Sequence, residues 1–171
     1  SEAAVHAFLT QVMKTHSLDA LTPECFEMVN NDDVTACLSL ALFNSKGIPA
    51  ACEGDLVSLA GMMLAQVLTG QIPWMANVAA INKESVLFAH CTAPINMLTG
   101  VSINTHFETD TSAAIQGSMA AEEVTIFRLN EQLNKAFIAP GKIIARPEHS
   151  YACRTQTEIS MEDASLKAMI E

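Results

Sequence analysis

The stretch at residues 48–70, IPAACEGDLVSLAGMMLAQVLTG, constrains the fold of this chain more than any other. It opens with a short apolar run at 48–51. Two carboxylates follow, Glu53 and Asp55, on either side of Gly54. A long apolar segment then runs over 56–68, and Gly70 closes it. The pattern reads as strand, turn, helix. The acids fall where the strand ends and the helix begins. There the unsatisfied N–H groups and partial positive charge of the helix favour carboxylates. In an α/β layer, ligands bind outside the carboxyl ends of the strands. Asp55 also reads as a helix N-cap, and Gly54 as a residue that frees the turn backbone. Glu53 has no such local duty. An acid beside an apolar strand and helix calls for a cation or a hydroxyl-rich ligand to neutralise it.

Half of the 171 residues are hydrophobic and 16% are charged, which supports a sizeable core and excludes a disordered chain. The formal net charge is −10, with the nine basic residues scattered. That excludes a nucleic-acid surface and an anionic membrane surface, both of which need clustered Lys and Arg. The longest apolar segment is too short to span a bilayer. The five cysteines, Cys25, Cys37, Cys52, Cys91 and Cys153, contain no C-x-x-C pair. This argues against a zinc knuckle and for buried thiols in a reducing, cytoplasmic setting. The chain begins inside a helical pattern without Met, so it is expected to be a piece of a longer protein.

The first half alternates helix and strand signals. Residues 3–16 are amphipathic, 18–26 read as a strand entry, and Asn30-Asn31-Asp32-Asp33 reads as a turn capping a helix over 34–44. Residues 72–81 and 85–91 follow as apolar segments, the second a strand. Near Gly100 the period changes to two. Val101, Ile103, Thr105 and Phe107 alternate with Ser102, Asn104, His106 and Glu108. Residues 113–119, 124–129 and 153–161 are further short strands, and Pro140-Gly141 reads as a turn. The expected fold is an α/β layer over residues 1–97, part of a larger α/β domain, followed by a β-rich antiparallel barrel-like lobe over 98–171, α+β overall.

Cys52-Glu53-Gly54-Asp55 with its apolar helix, Leu68-Thr69-Gly70, and Phe88-Ala89-His90-Cys91-Thr92-Ala93-Pro94 resemble the L-fucose isomerase and L-arabinose isomerase superfamily. The resemblance is stronger to its shorter, fucose isomerase-like members. Thr105-His106-Phe107-Glu108 and Cys153-Arg154-Thr155-Gln156 resemble segments of the same group, in the same order. The resemblance implies a metal-dependent sugar ketol-isomerase, or a fragment of one. A divalent cation, typically Mn2+, would be held by two acids and a histidine, with a carboxylate moving a proton through an enediol. It also implies a homo-oligomer, trimer or hexamer.

Carried over by position, Asp55 is the acidic ligand that opens the helix, and Glu53 is its companion; both are candidate catalytic and metal-binding residues. The family's other acid falls at Leu42, with Glu24, Asp32 and Asp33 the nearest acids, and its histidine falls beyond residue 171. His106 and His149 are stand-ins. His90, His106, Glu108 and Arg154 are candidate substrate-binding residues, each with a plainer role open to it: core histidine, exposed strand face, or cross-strand ion pair. The Leu at the expected acidic position favours an alternative, a non-catalytic sugar-binding or assembly module of the same fold.

Overall fold

The computed structural model describes residues 1–170, so Glu171, the last residue of the expected second lobe, lies outside the described residues. Four helices come first: α1 (Glu2–His16), α2 (Cys25–Asp32), α3 (Cys37–Ser45) and α4 (Leu56–Thr69). Seven strands follow: β1 (Asn77–Ile81), β2 (Ser85–His90), β3 (Leu98–Asn104), β4 (Ala114–Met119), β5 (Glu123–Leu129), β6 (Ala136–Ala145) and β7 (Thr155–Ser160). Helix α5 (Asp163–Ile170) ends the described chain. Five strands form a curled antiparallel sheet in the order β1-β2-β7-β6-β5, and β3 pairs with β4 in a separate hairpin. The class is α+β, as expected. Strands β1 and β2 precede residue 98, yet β2 is hydrogen-bonded to β7 from Ser85↔Ser160 to His90↔Thr155.

Helix α4 forms as its pattern predicts. Asp55 caps its start, and Gly70, at φ 72°, closes it with its N–H on Gln66 O. It buries Leu59, Gly61 and Met62. Gly61 faces β5, where a Cβ would make ordinary van der Waals contact with the Phe127 ring at 3.5 Å. Its outer face leaves Leu56, Val67 and Leu68 exposed.

The expected strand at 48–51 is reduced to one parallel bridge, Leu21↔Ala50. The cause is the buried side chain of Asn44. Its amide donates to Ala50 O at 2.8 Å and its carbonyl accepts from Ala50 N–H at 2.9 Å, so both groups that a ladder would use are occupied. Pro49 lacks an N–H altogether. The strand entry expected over 18–26 likewise ends early, because α2 starts at Cys25. The Asn-Asn-Asp-Asp turn is the end of that helix, with Asp33 in the left-handed conformation, and α3 begins only at Cys37. Thr35 is drawn off instead, its hydroxyl donating to Ala113 O at 2.9 Å.

Pro140-Gly141 is not a turn. Strand β6 runs straight through it, paired with β5 from Glu123↔Lys142 to Leu129↔Ala136. Gly141 serves close approach: a Cβ there would stand 2.4 Å from Ile159 Cγ2 of β7. Strand β3 ends at Asn104, so His106 and Glu108 lie on the loop after it rather than on a shared strand face.

Two apolar cores result. One joins Val86 and Phe88 of β2 to Ala139, Ile143 and Ile159 of the neighbouring strands. The other packs Leu40 and Phe43 of α3 against Ala50, Ala51, Leu59 and Met62. A small third cluster of Cys37, Cys91 and Ala114, with Cys153 against it, lies where helix and sheets meet.

Candidate functional site

The segment between Cys52 and α4 is a tight turn. Glu53 and Gly54 both take left-handed backbone conformations, φ 63° and 66°. Gly54 donates its N–H to Pro23 O at 3.1 Å and Asp55 donates to Cys52 O at 3.1 Å. For Glu53 this conformation is strained, since its Cβ crowds the backbone. The turn sends the two carboxylates in different directions.

Asp55 turns toward its own helix. Ser58 donates its N–H at 2.7 Å and its hydroxyl at 2.6 Å, and the Arg128 guanidinium stands 3.3 Å away. Burial raises the carboxyl's pKa, but the bonds from Ser58 and Arg128 outweigh it and hold the group below its ordinary range.

Glu53 turns to His90. The imidazole sits at the end of β2, almost wholly buried. Its Nδ1 is 3.0 Å from Thr92 Oγ1. Its Nε2 has no hydrogen-bond partner and faces Glu53 Oε1 at 3.7 Å, too long for a hydrogen bond. With the Thr92 hydroxyl donating to Nδ1, the ring proton sits on Nε2 and faces the carboxylate. Asn77 reaches the same Oε1 at 3.5 Å. The His90 imidazole holds the Glu53 carboxyl below its ordinary range, against burial, which raises it.

His106 is buried on the loop after β3. Its Nε2 is 3.0 Å from Glu108 Oε2 and its Nδ1 3.1 Å from Thr109 Oγ1. Arg154 holds that loop, donating from Nε to Thr105 O at 2.6 Å and from its terminal nitrogen to Thr105 Oγ1 at 2.7 Å. His149 is apart, stacked on Tyr151. Glu24 is beside the turn: a Cβ on Gly54 would stand 3.9 Å from Glu24 Cβ.

The sulfur atoms are what the residue spacing concealed. Cys25 and Cys52 stand 3.2 Å apart, and Cys91 donates its S–H to Cys37 Sγ at 3.1 Å. Cys52 and Cys91 bonding to Cys37 hold that thiol well below its ordinary range. Cys37, Cys91 and His106 bring ligand atoms within 4.8 Å of one another, a group able to hold a metal ion. No local motif marks it, because its members come from α3, the end of β2 and the loop after β3. Cys91 Sγ in turn lies 3.9 Å from His90 Nδ1. Five of the six expected site residues thus fall in one neighbourhood of thiols and imidazoles. Asp55 points away to Arg128.

The donor sets differ in kind. Glu53 and His90 offer a carboxylate oxygen and an otherwise orphaned imidazole nitrogen, which suit a divalent ion such as Mn2+. Asp55 beside a guanidinium does not, because the two cations would repel. The cysteines are too soft for Mn2+. A groove of about 1200 Å³ runs along α4 and the sheet; Arg128 and Ser58 line it, as do Trp74, Phe88 and Phe127. It is mainly apolar and lies apart from the Glu53–His90 pair.

No protein-family model matches the chain. It is 29% identical over 136 residues to the sulfoquinovose isomerase of Priestia megaterium, covering 75% of this chain and 30% of that protein. It is 23% identical over 168 residues to the sulfoquinovose isomerase of a Clostridium species, covering 92% of this chain and 37% of that protein. With the sulfoquinovose isomerase of Alkalicoccus urumqiensis the identity is 25% over 129 residues, 71% of this chain and 29% of that protein. The chain spans about a third of the length of the curated relatives it matches. No described helix is long and apolar enough to cross a membrane. The chain is similar to one part of proteins named as sugar isomerases.

Proposed function

We propose that this chain supplies part of the active site of a metal-dependent sugar ketol-isomerase, an enzyme that interconverts an aldose and a ketose, akin to the fucose isomerase-like proteins. The observation that carries the reading is the Glu53–His90 pair at the head of α4, in a chain similar to sulfoquinovose isomerases. Glu53 and His90 would hold a divalent cation, Mn2+ fitting the donors best. Such an ion, when bound, polarises neighbouring sugar oxygens.

The chain's own residues do the rest of the local work. Glu53 is unprotonated at neutral pH, as any ordinary carboxyl is, so its oxygens stay available. Thr92 holds the His90 ring in place. Asp55 starts α4 and clamps Arg128 across to β5, which fixes the turn that carries Glu53. Glu24, whose Cβ lies beside the turn, would be the group to take a proton from a sugar carbon or hydroxyl. Other segments of a longer protein, or a neighbouring copy in a trimer or hexamer, would complete the donor set. The substrate would be a small sugar, sulfoquinovose being the one the relatives' names give, handled in the cytoplasm without nucleic acid or membrane.

A second reading has an observation of its own. Asp55 is taken up by Ser58 and Arg128, so one of the two acids is spent on structure. That favours a non-catalytic sugar-binding or assembly module. The experiment is direct. The whole protein is incubated with sulfoquinovose, L-fucose and L-arabinose, with Mn2+ or with a chelator, and isomerisation is followed by proton NMR. Turnover that needs Mn2+ and is lost in Glu53→Gln supports the enzyme. Sugar binding without turnover supports the module. Full turnover in Glu53→Gln removes the site assignment.

A further inference from the structure

The thiols of this chain are gathered in a way that neither core packing nor sugar chemistry requires. Cys37 opens α3, Cys91 follows β2, His106 lies after β3 and Cys153 comes just before β7. All five cysteines are free. Cys37, Cys91 and His106 are each at most 5% exposed. We infer that Cys37, Cys91 and His106 form a binding site for a thiophilic d10 cation, Zn2+, with Cys153 closing the coordination.

The chemistry of the donors selects the ion. Thiolates and one imidazole are a zinc ligand set; the two buried thiolates cancel the charge of Zn2+, and the thiolate of half-buried Cys153 leaves one negative charge on the solvent side. Cys153 is half-buried, packs against Cys37 and Cys91, and lies 3.8 Å from Glu108 Oε1. It offers both a fourth ligand and a route in from solvent. Glu108 on His106 Nε2, at 3.0 Å, is the carboxylate–histidine contact that orients a metal-binding imidazole. Of the two ring nitrogens, Nδ1 is the easier to release, because Thr109 Oγ1 keeps Thr111 Oγ1 at 3.0 Å. The Cys37 and Cys91 sulfurs must part from 3.1 Å to about 3.8 Å for tetrahedral Zn–S bonds of about 2.3 Å. A ligand sulfur that still carries its proton, as Cys91 does, passes it to water when the ion binds. The ion would tie the helical layer to both sheets. This site adjoins the proposed sugar site, with Cys91 Sγ 3.9 Å from His90 Nδ1, but its donors are different: there they are a carboxylate and another histidine.

Cobalt substitution tests it. The reduced whole protein is titrated with Co2+ alone under anaerobic conditions. One equivalent is expected to give thiolate-to-cobalt charge-transfer absorption with the intense visible bands of tetrahedral Co2+, both erased by one equivalent of Zn2+. Cys91→Ser is expected to abolish the charge-transfer band, or at least halve it. Cys153→Ser, at the half-buried position, is expected to shift the visible bands without removing them, and Glu53→Gln to leave the spectrum unchanged. Wild-type protein without charge-transfer absorption overturns the inference, whatever the variants do. So does a spectrum that survives the double substitution Cys37→Ser, Cys91→Ser, or one lost in Glu53→Gln alone. The readout is independent of sugar turnover, so failure of the isomerase reading leaves it intact.

Discussion

The Nε2 atom of His90, sealed from solvent and without a hydrogen-bond partner, faces the Glu53 carboxylate across 3.7 Å. A buried polar atom left unmatched is uncommon and costs stability. Here the gap has the right donors on two sides for a cation or a ligand hydroxyl. Glu53→Gln and His90→Gln are each expected to lower kcat/KM for sugar interconversion by about two orders of magnitude or more. Steady-state kinetics with added Mn2+ checks this, with circular dichroism to confirm folding.

Asp55 is expected to matter for stability more than for cation binding. Asp55→Ala removes the cap on α4 and should cost about 1 kcal/mol. The half-exposed pair with Arg128 adds little to that. The urea midpoint should fall while Asp55→Asn leaves Mn2+ affinity in calorimetry within a few-fold of wild type.

The strained backbone of Glu53 gives a test that separates function from folding. At φ 63° the residue sits where glycine is at ease. Glu53→Gly should therefore keep the protein's stability or raise it by up to about 1 kcal/mol, while activity is lost. Thermal unfolding and the NMR turnover assay read the two effects independently.

Acid should destabilise the fold through these same carboxyls. Both Glu53 and Asp55 have folded-state pKa values below their unfolded ones. The stability they contribute is present above the unfolded carboxylate range, about pH 4, and is lost as pH falls through it toward the folded values. The melting temperature should be level near neutrality and drop on the acid side. Asp55→Asn should flatten that drop.

Gly141 should tolerate no side chain. A Cβ there meets the stiff branched Ile159 at 2.4 Å. Gly141→Ala should cost about 1–3 kcal/mol by overpacking. Adding Ile159→Ala should restore part of it, a coupling that a double-mutant cycle in urea measures.

Much of this architecture was legible in the residues. The cap and glycine stop of α4, the buried run of β2 and the short strands after Gly100 all follow local pattern rules. The misreadings came from long-range partners. Asn44 occupies the backbone groups that would have made residues 48–51 a strand. Close approach by β7, not a turn, explains the glycine after Pro140.

The site divides along the same line. The sequence by itself determined that Glu53 and Asp55 stand at the head of an apolar helix, because spacing and capping are local. Only the tertiary structure decided where each carboxylate goes: Asp55 to Ser58 and Arg128, Glu53 to His90. It alone brought Cys37, Cys91 and His106 within 4.8 Å. Residues so far apart in the chain meet only through the pairing of strands and the packing of α3 against them, which no spacing encodes.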